Sequence, residues 1–187
     1  MMSKMNPKAS IIFITILLVA MTRIIPHWPN VTAVGAIAIF GGATLRNSWS
    51  AILVPLAAIF ISDLLINNIF YSAYYEGFVF FGQASAWIYS AFILMAVMAH
   101  FSITSFKALP IIGTALSGSV LFFALTNFGA WMGSPIYSQD VSGLMFAYEA
   151  GLPFLLNSMI ANILFSGVLF GSYYAAMEKK VQWLFAK

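Results

Sequence analysis

SAILVPLAAIFISDLLI, residues 50–66, carries one ionisable group in seventeen positions, Asp63. As a helix it is about 26 Å long, close to the ~30 Å hydrocarbon core of a bilayer. Five further apolar runs flank it, at 9–25, 31–45, 84–101, 108–129 and 152–177. Breakers lie between them: Pro26 and Pro29, then Arg46 and Asn47, then the polar stretch 67–76. Lys107 and Pro110 follow, and Pro135 and Pro153 bound the last connection. The run 31–45 is the short one, about 22 Å at 1.5 Å per residue. As a span it is upright, locally broken, or extended by neighbouring turns; a re-entrant segment is the rival reading and would reduce six spans to five. The first run, after Lys4 and Lys8, is long for a signal peptide and no Ala-x-Ala site follows it, so it reads as a retained span.

The whole composition agrees with that reading. Of 187 residues, 62% are hydrophobic and 7% charged, whereas a soluble domain carries roughly 25% charged residues. Five acids and eight bases cannot coat a water-facing surface of this size. The expected fold is all-α, a polytopic six-helix membrane bundle forming one domain over residues 1–187. Zero cysteines exclude disulfides and thiolate chemistry, and no basic stripe points to nucleic acid.

The bases set the expected orientation. With the N-terminus in the cytoplasm, Lys4, Lys8, Arg46, Lys107, Lys179, Lys180 and Lys187 fall inside and Arg23 alone falls outside. That split satisfies the positive-inside rule and places both termini in the cytoplasm. Inner connections are short, 46–49 and 102–107, while outer ones run over 67–83 and 130–151. Connections that long in a compact bundle usually have a task, so a site is expected on the outer side. Their rings also suit an interfacial aromatic belt.

Ionisable and amide groups inside apolar spans usually mark function or a buried pair. Asp63 has one candidate partner on its side, Arg23, and the two are expected to form an ion pair. An outer pocket would be built from Trp28, Asp63, Tyr75, Gln83, Asn127, Trp131 and Asn157, rings stacking on a ligand and amides reading its polar edge. Each amide has an ordinary use as well, bonding a neighbouring helix at about 0.6 kcal/mol apiece. Asn162 lies deeper than Asn157 and off its face. His27, in the proline-bounded turn, is a weak metal candidate and no cofactor is expected. The small pairs Ala38/Gly42, Gly113/Ser117 and Gly167/Gly171 suit close helix contacts, most often internal ones. Walker, Gly-x-Ser-x-Gly and His-Glu-x-x-His motifs are all missing, so the chain is not expected to be an enzyme.

Residues 23–43, RIIPHWPNVTAVGAIAIFGGA, resemble the signature of a poorly characterised bacterial family of six-span membrane proteins. ISD at 61–63, TNFGAW at 126–131 and GLPFLLN at 151–157 extend the resemblance over most of the chain. That family resembles the substrate-binding S components of energy-coupling-factor (ECF) transporters, and within them the solitary cobalamin-uptake type. The resemblance implies uptake of a vitamin-like small molecule, such as a corrinoid, through an outward-facing site. It also implies docking on a coupling membrane subunit served by ATPases. The chain departs from that group in lacking an Ala-x-x-x-Ala motif over 9–25, a loop cysteine and an N-terminal histidine. A structural or assembly protein without a ligand is the competing class, and an intramembrane enzyme using Asp63 or His27 the third.

Overall fold

The computed structural model describes residues 14, 16, 18, 20, 21, 23, 25, 28–45, 47–82 and 84–185. Residues 14, 16, 18, 20 and 21 of the first apolar run are helical. Five helices follow: α1 Val34–Thr44, α2 Ser48–Leu65, α3 Ser85–Ser102, α4 Ala108–Gly133 and α5 Val141–Phe185. A π-helical turn, Ile66–Phe70, prolongs α2, and a short 3₁₀ turn, Ser72–Tyr74, comes after it. Among the described residues there is no strand.

The centre of the bundle is α1. Its residues from Val34 to Gly42 are all buried, and it packs against α2, α3, α4 and α5. A helix that is apolar on every side has no face to give to water, so it ends in the middle. Three glycines let its neighbours approach. A Cβ on Gly41 would stand 2.3 Å from the Pro55 ring, one on Gly42 would stand 2.2 Å from the Ala96 carbonyl oxygen, and one on Gly35 would stand 2.3 Å from Asn162 Oδ1. Phe40 fills the remaining gap, packing edge-on against Phe170 at 5.2 Å. At the far end, His100 Nδ1 lies 3.1 Å from the Gly42 carbonyl, one of the acceptors a helix C-terminus leaves open.

The segments Trp49–Phe70, Ser85–Ser102, Ala108–Gly133 and Val141–Met177 are long and apolar enough to cross a membrane. The chain is therefore a multi-pass helical membrane protein. With eleven residues α1 is about 16 Å long, half the hydrocarbon thickness. The short run at 31–45 is thus a helix of half-span length preceded by a turn.

The last connection differs from the sequence expectation. The interval 130–151 reads as a long loop, but α4 continues to Gly133 and α5 starts at Val141, leaving only 134–140. The reason is local. Asp140 Oδ1 accepts from the Gly143 N–H, the Ser142 Oγ and the Ser138 Oγ, each at 2.8 Å, which caps a helix start ahead of Pro153. Pro153 then sits inside α5, a position that membrane-spanning helices tolerate. The helix that results has 45 residues and outreaches the bilayer.

Candidate functional site

Two polar clusters lie among the apolar helices. The first joins the end of the first apolar run to α2 and α3. Arg23 Nη1 donates to Asp63 Oδ1 at 2.5 Å and to Ser62 Oγ at 2.7 Å, with the Ile59 carbonyl at 3.5 Å. Tyr89 donates its hydroxyl to the other carboxylate oxygen at 2.6 Å. The ion pair is 18–20% exposed, so it lies largely out of water, and its opposite charges cancel each other's field. The expected Arg23–Asp63 pair is present. Nothing in the sequence marks Tyr89 for this role, because a tyrosine one turn inside a span looks the same whether or not it meets a carboxylate.

Asn127 and Asn157 make their side-chain hydrogen bonds to backbone carbonyls and not to Asp63. Asn127 donates to the Phe123 carbonyl of its own helix at 2.8 Å, and Gly151 leaves room for it between α4 and α5. Asn157 reaches across the bundle to donate to the Pro29 carbonyl at 2.9 Å, tying α5 to the turn before α1. Trp131 Nε1 donates to the Ser138 carbonyl at 2.9 Å, and Gln139 donates back to the Trp131 carbonyl at 2.8 Å, so this indole organises the 134–140 connection. Tyr75 and Trp28 are exposed, Trp28 at 77%. Gln83 and His27 lie outside the described residues. Of the seven expected pocket residues, then, the structure ties Asn157 to the turn that carries Trp28 and keeps Asp63 with its ion-pair partner.

The second cluster lines a partly open cavity of about 30 Å³ at the start of α1. Asn30, Thr32 and Gly35 line it from the turn and the first coil of α1, Ser158 and Asn162 from α5, and Phe92, Met95 and Phe122 from α3 and α4. Asn162 is buried, donating Nδ2 to Ser119 Oγ at 2.9 Å while its carbonyl oxygen lies beside Gly35. Asn30 holds a left-handed backbone, φ 61°, a conformation that asparagine adopts more readily than most residues. Ala33, at the N-cap position, offers α1 no side-chain cap. The helix start therefore turns its open N–H groups and positive dipole end towards the polar cavity. The lining residues Phe92, Met95, Phe122, Ser158 and Asn162 lie near the middle of α3, α4 and α5, so α1 starts beside the middle of those helices. The volume admits a water-sized group. Only part of this site was legible. Ser158 and Asn162 are four apart on one face of α5, a spacing that brings side chains together.

The chain belongs to DUF6580, a family of unknown function. The family match extends over residues 3–184, nearly the entire chain. No curated protein and no solved structure matches it.

The larger recesses of this DUF6580 chain are apolar. One, of about 390 Å³, runs between α4 and α5 past Phe106, Ile111, Ile163, Ser166 and Phe170. Another, of about 350 Å³, lies between Ile14 and Ile16 of the first run and Leu53, Val54 and Ile61 of α2. The polar side chains on these linings are Tyr174 and Ser166 of the first recess, and the buried Ser166 hydroxyl has no hydrogen-bond partner. Among the described residues no three His, Asp or Glu side chains group as a metal would need. Outside the spans, Asp140 is held down to about 2 by the Gly143 N–H and the hydroxyls of Ser142 and Ser138. That carboxylate is a helix cap, and its bonds explain its acidity.

Proposed function

We propose that this chain is a non-catalytic substrate-binding membrane protein that takes up a small, vitamin-like molecule in the manner of an S component. The observation that carries the reading is the polar cavity at the uncapped, mid-depth start of α1. Discontinuous helices whose N-termini end near the midplane are a recurrent way for transporters to present backbone donors to a polar ligand. Asn30, Thr32, Ser158 and Asn162 surround that end, while Phe92, Met95 and Phe122 supply an apolar wall. Together they match the usual recipe of a mostly apolar pocket with a few placed polar groups.

In this reading the chain crosses the membrane six times, α1 and the turn before it counting as one crossing. Both termini lie in the cytoplasm and the cavity is reached from outside. A cavity of about 30 Å³ holds only the polar tip of a vitamin-sized ligand. The body of the ligand, a corrinoid included, would enter as the connections 66–82 and 134–140 part. Asp63 then acts as a positioning residue that fixes Arg23, not as a ligand contact. Delivery to the cytoplasm would require a coupling membrane subunit with its ATPases.

Native mass spectrometry of the protein extracted in mild detergent tests this reading. A small molecule that co-purifies, and is lost from Asn162→Leu while the fold survives, is the expected result. A bare chain bound tightly to another membrane protein would favour an assembly role, and a chemically converted ligand would favour an enzyme.

A further inference from the structure

The span Trp49–Phe70 has 22 residues, about 33 Å of helix, so Phe70 stands where the hydrocarbon ends. Directly beyond it, residues 70–81 read FYSAYYEGFVFF, seven rings in twelve positions with one charge, Glu76. All seven rings are exposed, from 42% at Tyr75 to 80% at Tyr74. They present on the order of 600 Å² of ring surface, taking roughly 150 Å² per ring. That is more than a water-facing surface usually carries in one patch.

The segment is held in a defined shape. Asn68 uses its side chain as a second backbone, donating to the Val79 carbonyl at 2.8 Å and accepting from the Val79 N–H at 2.7 Å. Phe78 and Phe80 pack edge-on at 4.8 Å, and Phe81 touches Phe60 at 5.3 Å and Tyr89 at 6.0 Å. Gly77, with φ 89°, makes the reversal that only a glycine adopts easily.

Rings and backbone make opposite demands. The exposed rings favour an apolar setting. Around Gly77 the backbone is neither helix nor strand, and irregular backbone of that kind is not tolerated facing lipid tails. One environment satisfies both, the headgroup boundary, where amphipathic rings collect and polar backbone stays hydrated. We propose that residues 70–81 form an aromatic strap seated in the lipid headgroup boundary at the end of α2, its occupant being the bilayer surface. The exposed apolar side chains Leu53, Ile61 and Ile69 of the same span lead up to the strap, and that continuity, with the span length that puts Phe70 at this depth, favours lipid over a protein partner. This inference rests on membrane embedding alone, so it stands or falls separately from substrate uptake.

The chain lacks cysteine, so single nitroxide labels can be placed at Tyr74→Cys, Phe78→Cys and Phe80→Cys in lipid nanodiscs. Collision rates with oxygen and with a water-soluble nickel chelate, calibrated on headgroup- and chain-labelled lipids, give each label's depth. The expected result is an oxygen-to-nickel ratio several-fold above that of a free aqueous label and close to that of the headgroup-labelled lipid. An aqueous ratio, a mid-bilayer ratio, or shielding from both reagents by covering protein would overturn the proposal. Three separate positions keep the test decisive if one variant does not fold.

Discussion

Asp63 serves two donors at once, a guanidinium on one oxygen and a phenol on the other. Replacing it by Asn strands Arg23 among apolar helices, and Arg23→Gln strands the carboxylate. Each single change is expected to cost about 3 kcal/mol in a detergent unfolding experiment, and the double change markedly less than the sum. Strictly additive effects would remove the pair from the account. Tyr89→Phe deletes one hydrogen bond to a charged acceptor and should cost about 2 kcal/mol, with the Arg23 contact retained. At this scale the sequence was informative where the choices were few. Arg23 is the lone base assigned to its side of the membrane, so its partner followed. Asn127 and Asn157 were not resolvable in advance, because a buried amide that bonds a backbone carbonyl and one that faces a ligand have the same signature.

Small residues four apart look alike along the helices and do different things once folded. In α1, Gly42 takes the Ala96 carbonyl at a distance no Cβ permits, whereas Gly167 and Gly171 of α5 and Gly113 of α4 face nothing within 4 Å. Gly42→Ala should therefore destabilise by about 2 kcal/mol through overpacking. Gly167→Ala should be neutral or gain up to about 1 kcal/mol of helix propensity. Thermal unfolding of both variants in one detergent separates them, and equal losses would contradict the packing assigned to α1. The spacing alone could not tell these sites apart, since it says nothing about which side of a helix meets a neighbour.

The start of α5 carries a pH signature. Asp140 is lowered from 3.8 to about 2 by bonds that exist only when the helix is capped. A depressed carboxylate stabilises the fold fully above its unfolded value near 4, and that contribution disappears as pH falls through about 2. Hydrogen-exchange protection over Val141–Gly143, measured relative to the intrinsic rate at each pH, should fall across that window, and Asp140→Ala should remove that fall while leaving protection low throughout. An unchanged profile in the variant would show that the cap does not govern this end. The sequence reading missed this start by treating the two prolines as the limits of a loop, although a Ser-Gln-Asp-Val-Ser run is itself a helix-opening pattern.

For the whole molecule, apolar content and the placement of breakers were enough to establish a multi-pass helical membrane protein. They were enough because a chain with so few charges has one solvent open to it. The burial of α1 at the centre, and the cavity at its start, were not legible. They depend on which helices meet, and a short apolar run is equally consistent with a tilted span or a re-entrant one. The proposed orientation rests on the placement of the bases and is checkable on this cysteine-free chain. Cysteines placed at residues 4 and 187 should react with an impermeant thiol reagent only in inside-out vesicles, and labelling in intact cells would reverse the topology.

In the proposed function the uncapped start of α1 faces a polar cavity reached from outside the cell. Thr32 lines that cavity and is half-buried, so Thr32→Cys reports on it directly. In intact cells a small impermeant thiol reagent should label residue 32, more slowly than a fully exposed site. In inside-out vesicles it should not. Labelling confined to inside-out vesicles, or equal from both sides, would contradict the account.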